Sequence, residues 1–291
     1  MIQYKKRELT PEEFRKMQLL ELDMLVEFDR LCQEHGINYV IFGGTMLGAV
    51  RHKGYIPWDD DADIAMLRED YEKFKTVCNQ LNKDICYFQD HTTDKMYRWG
   101  YGKLRRTGTT YIRVGQEHLK CQTGVFVDIF PMDDVPKSLP LQLLQDRYCY
   151  CLRKILWSEV AKHQTHGLKK LWFSILSHIP TKSVFRWLTV YTRRSSNASS
   201  NRVRCLLFPA TGTLYVKNPI RERYSMPKSW FTQRARYEFE KQQLYGTLDY
   251  DSALSYIYRD YMKLPPEDKR EQHSPVSYID FGNVKPITLS E

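Results

Sequence analysis

Y-V-I-F-G-G-T-M-L-G-A-V-R-H-K-G-Y-I-P-W-D-D-D-A-D-I-A-M, Tyr39 to Met66, is the stretch on which the fold is decided. Ile37 to Phe42 is a short apolar run suited to a buried strand. Gly43-Gly44-Thr45 follows as a turn, Met46 to Val50 as a helical turn, and Gly54 to Pro57 as a second turn. Asp61 to Leu67, D-A-D-I-A-M-L, reads as a second strand. Four acids within Asp59-Asp60-Asp61-Ala62-Asp63 repel one another, and strands disfavour Asp. A solvated acidic turn would not run straight into the apolar I-A-M-L. Side chains two apart on a strand share a face, so Asp59, Asp61 and Asp63 are expected on one side and Asp60 on the other.

Working outward, residues 69–81 have a helical period, 85–90 and 96–114 read as strands with Gly-containing turns, and Gly124 to Phe130 is a third buried strand that Pro131 should end. Upstream, Thr10, Pro11 and Glu13 make a capping box ahead of Phe14, Met17, Leu20, Met24, Phe28 and Leu31 at helical spacing, with Gly36 suited to the left-handed stop. Strands and helices mixed in this order indicate an α/β or α+β domain over residues 1–135. Residues 136–291 are expected to be mainly helical, with helices over 141–195 and 227–262 and a linker at 195–203.

Asp128 is an acid inside an apolar strand, F-V-D-I-F, where a lone carboxylate is expensive unless paired or metal-bound. Clustered carboxylates with no His or Cys among them suit a hard cation, Mg²⁺ or Mn²⁺. Asp59, Asp61, Asp63 and Asp128 are therefore the candidate metal ligands, and Asp61, Asp63 and Asp128 the candidate catalytic acids. Two ions held in this way would clamp an in-line phosphoryl displacement, with Asp128 a candidate general base. Gly43, Gly44 and Thr45 let a phosphate approach the backbone, and Arg51, His52 and Lys103 are the first cationic candidates around it. Arg105, Arg106 and His273 are further candidates, and Trp58, Trp99 and Tyr101 offer faces for a base or a quaternary ammonium.

Charge is uneven: residues 147–236 hold 18 Lys and Arg against two acids, Glu159 and Glu222, which favours a phosphate-rich or membrane-surface partner. Residues 168–191 mix Trp, Phe and Lys/Arg as an interfacial segment would, although a packed helix pair broken at Pro180 reads the same way. No apolar run reaches the roughly 18 residues a span requires. The N-terminus has no apolar leader core, and the seven cysteines form no CxxC pair. The expectation is a cytoplasmic chain with reduced thiols, peripheral on the inner face of the membrane. No RNA-binding module is recognisable, so a nucleic-acid partner is not expected.

The 39–66 block closely resembles the signature of the LicD family. V-D-I-F-P-M-D at 127–133, Y-E-F-E at 237–240 and Y-R-D-Y-M-K-L-P-P-E-D-K-R-E-Q-H at 258–273 are similar to its later blocks. The resemblance implies an α+β, nucleotidyltransferase-type fold in which a mixed β-sheet is flanked by helices. It implies that Gly43, Gly44 and Thr45 precede a D-x-D strand bearing Asp61 and Asp63, with Asp128 as the third carboxylate. It implies a CDP-linked donor such as CDP-choline and a lipid-linked or cell-surface glycan acceptor, a teichoic acid or lipopolysaccharide precursor. Fukutin-like relatives transfer ribitol phosphate instead. Arg259 stands where the family usually shows Gly, a departure that bears on the local backbone rather than the chemistry. Two other functions fit the same residues: a nucleotidyltransferase that attacks an NTP and releases pyrophosphate, and a silent scaffold that binds glycan or anionic lipid.

Overall fold

The computed structural model describes residues 6–195, 199–208, 225–270 and 275–287. Helix α1 (Pro11–Glu34) starts where the capping box places it: Thr10 Oγ1 accepts the Glu13 N–H, and the Glu13 carboxylate accepts the Thr10 N–H. Met17, Leu20, Met24, Phe28 and Leu31 are fully buried on its apolar face. Gly36 takes φ +56° just past the C-cap, so the chain reverses into β1 (Val40–Ile41).

Helix α2 (Gly43–His52) is longer than the single turn expected after the glycines. Gly43 and Gly44 are its first residues rather than a free loop. Strand β2 (Ala62–Leu67) leads directly into α3 (Arg68–Val77). Strands β3 (Cys86–Gln89), β4 (Gly102–Arg106), β5 (Thr110–Arg113) and β6 (Phe126–Pro136) follow. The central sheet has the order β1-β2-β6-β4-β3, with only β2 and β6 parallel. The α+β class is thereby established: a mixed sheet flanked by helices, with α1 packed over its β4 and β6 strands.

Pro131 does not end β6. The strand pairs with β4 as far as Ile129 and with β7 (Ser199–Arg204) from Asp133 onward. Pro131 falls in the gap between these ladders, where its missing N–H interrupts no pair on that edge. Residues 199–204 are consequently a strand rather than a linker, and residues 196–198 lie outside the described residues. Strand β8 (Met226–Pro227) pairs antiparallel with β7.

Three helices, α4 (Leu139–Gln164), α5 (Gly167–Ser177) and α6 (Thr181–Ser195), occupy 139–195 as the periodicity predicts. Leu152, Leu156, Val184, Phe185 and Leu188 give α4 and α6 a small core of their own. The helix expected over 227–262 is not formed. That region holds a one-turn helix α7 (Ser229–Thr232), a hairpin of β9 (Arg234–Phe239) and β10 (Gln242–Thr247), and then α8 (Tyr250–Tyr258). Glu240 and Lys241 turn the hairpin with positive φ. Alternating aromatics and cations in R-A-R-Y-E-F satisfy a period of two better than 3.6.

The hairpin closes onto the first half of the chain. Phe239 packs on Tyr55 with ring centroids 4.8 Å apart. Glu240 accepts two bonds from Arg15, at 3.0 and 2.5 Å, and the Tyr55 N–H at 3.1 Å. Arg236 binds Asp29 at 3.0 Å, and the same Asp29 accepts the buried Tyr39 hydroxyl at 2.6 Å. The Y-E-F-E block thus acts as a structural clamp. Strand β11 (Val276–Asp280) pairs with β5 in a separate two-stranded sheet.

Arg259, directly after α8, has φ 65° and ψ −114°. L side chains rarely adopt this backbone conformation, and the exposed Arg259 side chain occupies a position that favours glycine. Arg259→Gly is expected to stabilise the protein by about 1 kcal/mol, read as a higher melting temperature; an unchanged or lower value would contradict the strain.

Candidate active site

Asp63 of β2, Asp128 of β6 and Lys103 of β4 are register partners across three adjacent strands. Register partners project from the same face roughly 5 Å apart. The result is a row of carboxylate, carboxylate and ammonium. Lys103 Nζ forms an ion pair with Asp128 Oδ1 and lies 3.6 Å from the centroid of the Phe126 ring. Burial pushes the Lys103 ammonium down to about 7, against the pull of Asp128.

Asp59, Asp60 and Asp61 precede β2 in irregular backbone rather than continuing it. The strand alternation expected for them therefore does not apply. One carboxylate oxygen from each lies within 4.8 Å of the other two, and Asp60 turns into the cluster instead of away from it. Burial first, then Asp61 and Asp60, raise Asp59 to about 8. Burial, Asp60 and Asp128 raise Asp61 to about 6, and Asp63 stands well above the usual carboxylate range through burial and its neighbours Asp61 and Asp128.

The two glycines allow α2 to meet this cluster end-on. A β-carbon on Gly44 would stand 2.3 Å from Asp59 Oδ2, and one on Gly43 would stand 3.1 Å from Asp63 Oδ2. Thr45 serves the scaffold, since its Oγ1 accepts the Asp63 N–H at 2.8 Å. The Phe42 N–H donates to the Asp63 carbonyl at 2.9 Å. Strand and helix start are thereby locked together.

The remaining cations divide by position. Arg51 lies at the far end of α2, donates to the Tyr261 carbonyl at 2.7 Å and draws the Asp59 carboxyl down from its raised value. His52 sits edge-on to Trp58, 6.4 Å between centroids, and Arg270 lies over the Trp58 ring at 5.2 Å. Burial and Arg51 lower His52 below the ordinary imidazole value. Arg105 and Arg106 are spent on structure. Arg105 binds Gln89 and the Gly124 carbonyl, and Arg106 binds the carbonyls of Asp84 and Ile85. Trp99 packs against Tyr97 and Tyr101 against Phe130. His273 lies outside the described residues.

Three residues enter the site that the sequence reading did not place there. Asp60 belongs to the cluster. Arg113 of β5 acts electrostatically on Asp61. Glu21 of α1 is buried behind Asp59, Asp60 and Asp61, and burial together with those acids raises it well above the usual range. Glu21 stands seven residues after Phe14 and seven before Phe28, so a charge on an apolar stripe was its visible signal.

An all-oxygen donor set of clustered carboxylates, raised by mutual repulsion, fits a hard divalent cation. Asp59, Asp61, Asp63 and Asp128 are the residues that would hold it, with Asp60 alongside. All seven cysteines are free and none adjoins the cluster.

Residues 36–178 match the family model described as LicD/FKTN/FKRP, nucleotidyltransferase domain. Over 278 residues the chain is 28% identical to the lipopolysaccharide cholinephosphotransferase LicD of Haemophilus influenzae, covering 91% of this chain and 97% of that protein. Shorter matches link it to uncharacterized proteins of two Rickettsia species. One, from R. typhi, is 39% identical over 74 residues, 25% of this chain and 23% of the relative. The other, from R. prowazekii, is 44% identical over 60 residues, 21% of this chain and 23% of the relative.

The raised carboxyls set a pH dependence. A carboxyl raised in the fold binds a proton that the unfolded chain releases, so stability falls as pH climbs toward the folded value. Asp61, at about 6, and Asp59, at about 8, act in this direction. Lys103, at about 7, opposes them only above that pH. The metal-free protein should melt at a lower temperature at about pH 7 than at about pH 5, and Mg²⁺ should restore more at the higher pH. A melting temperature that rises across this window and ignores Mg²⁺ would refute the electrostatics.

Proposed function

We propose that this chain, which carries a LicD-family nucleotidyltransferase domain, is a transferase that moves phosphocholine from CDP-choline onto a hydroxyl of a lipopolysaccharide or related cell-surface glycan, with release of CMP. The observation that carries this reading is the Asp63–Asp128–Lys103 row beside the Asp59–Asp61 cluster. The relative that matches along almost its whole length, named a lipopolysaccharide cholinephosphotransferase, supports the choice of group and acceptor.

Mg²⁺ held by Asp59, Asp61, Asp63 and Asp128 would supply the charge that neutralises the donor diphosphate. The start of α2 adjoins the same carboxylates and would offer the positive end of a helix to a phosphate oxygen. Arg51 steadies the nucleotide side. Asp128, gripped by Lys103, accepts the proton of the incoming hydroxyl. That oxygen bonds to the phosphorus distal to cytidine as the bond to CMP breaks. Glu21, whose carboxyl burial and the neighbouring acids raise well above the usual range, carries its charge less readily behind the cluster.

Asp61→Asn should lower kcat by about a thousandfold or more while leaving the metal-free fold at least as stable, because it removes one repelling charge. CMP release from CDP-choline with Mg²⁺, measured for the wild type and this variant, tests the reading. Pyrophosphate release from an NTP with no CMP from CDP-choline would reassign the reaction, and retained activity in the variant would remove the aspartates from it.

No described helix is long and apolar enough to cross a membrane. Helix α5 carries no buried residue, and Leu168, Leu171, Trp172 and Ile175 are 57% to 85% exposed on it, beside Lys169 and Lys170. We read this helix as the part that rests on an anionic bilayer bearing the acceptor. Leu171→Glu with Trp172→Glu should abolish co-sedimentation with phosphatidylglycerol vesicles. Undiminished binding would discard this placement.

A further inference from the structure

A cavity of about 340 Å³ opens beside the carboxylates, between the 98–101 segment, β5 and α4. Four cations line it, Arg98, Arg113, Arg153 and Lys154, together with Trp99 and Trp157, and no carboxylate stands among its described lining residues. Three guanidinium atoms of these lining arginines, Arg98 Nη2, Arg113 Nε and Arg153 Nη1, are buried and have no hydrogen-bond partner among the described residues. A buried donor left unpaired costs about 1–3 kcal/mol, more when charged, so three beside one cavity call for an anion. Arg98 is held in place, since its Nε donates to the Leu156 carbonyl at 2.9 Å. Guanidinium forks match phosphate oxygens bidentately, and the indole faces suit a sugar ring beside the phosphate.

The position of the cavity identifies which substrate it takes. Arg51 and the α2 start act on Asp59, whereas Arg113 and Lys103 act on Asp61. The carboxylates therefore have two flanks. In-line displacement requires the leaving nucleotide and the incoming hydroxyl on opposite sides of the phosphorus. With the donor diphosphate on the α2 flank, the cavity lies on the acceptor's side. We infer that this cavity is a subsite for a phosphate carried by the acceptor sugar, so that the enzyme prefers a phosphorylated glycan. The inference rests on the transfer reading above for its assignment to acceptor rather than donor. The orphaned guanidinium atoms stand without it.

Calorimetry with the full chain tests this, with glucose 6-phosphate, glucose, inorganic phosphate and CDP plus Mg²⁺ as separate probes. Glucose 6-phosphate should bind, inorganic phosphate should compete with it, and glucose should not. Arg153→Gln and, independently, the milder Lys154→Ala should each weaken glucose 6-phosphate by about tenfold or more and leave CDP affinity within about twofold. Loss of CDP affinity in these variants would hand the cavity to the donor and overturn the acceptor assignment. No binding of glucose 6-phosphate or phosphate to the wild type, or binding unaffected in both variants, would overturn the subsite itself. Failure of the wild type to bind CDP with Mg²⁺, alongside intact glucose 6-phosphate binding, would instead count against the transfer reading.

Discussion

Carboxylates crowded at the junction of β2 and β6 are the constraint on which the rest of the structure depends. Raising Asp59 from its ordinary value to about 8 corresponds to roughly 5–6 kcal/mol of desolvation and repulsion. No single ion pair among the described residues offsets that. Lys103 partners Asp128 but is itself pushed down to about 7, so it offsets only part of the negative charge in the row. The surrounding architecture holds these acids in place. Thr45 ties the β2 backbone to α2, the glycines remove side chains that would collide with Asp59 and Asp63, and Glu21 closes the cluster from beneath. Such a site loses stability in the metal-free state, and the proposed divalent cation would recover it.

The two sequence halves contribute differently to this arrangement. The first supplies the carboxylates, the helix start and the three-strand row. The second supplies the walls. The 234–247 hairpin clamps α1 and the 54–55 turn through Glu240, β11 covers β5, and α4 brings Arg153, Lys154 and Trp157 toward the centre. The acidic centre is thereby flanked by cations on both sides, Arg51 on one and Arg98, Arg113 and Arg153 on the other. Opposite charges arranged in this way are what the proposed transfer between two phosphate-bearing reactants would require.

Much of this was legible in the residues. Local rules broken at Asp59–Asp63 and at Asp128 pointed to the site, because an acid at a buried strand position is tolerated only when it is paired or metal-bound. The capping box, the α1 stripe and the Gly36 stop depend only on neighbours in the chain, and they form as expected. What was not legible depends on partners distant in sequence. Asp60 joins its neighbours because β2 begins one residue later than D-A-D-I-A-M-L suggests. Pro131 is tolerated only because the ladders on one side of β6 change hands around it. Residues 234–247 form a hairpin because α1 and Tyr55 offer them a surface, and Arg105 and Arg106 find carbonyls rather than phosphate. The orphaned guanidinium atoms come from three separate segments that only the fold brings together.

Proton release on Mg²⁺ binding is the most direct test of the central claim. Acids held above their ordinary range must give up protons when a divalent cation takes their place. Titrating the metal-free wild-type protein with MgCl₂ at about pH 7, in two buffers of different ionisation enthalpy, measures that release. Saturable binding with net proton release is predicted. Mg²⁺ binding that releases none, or no binding even with CDP present, would contradict the account.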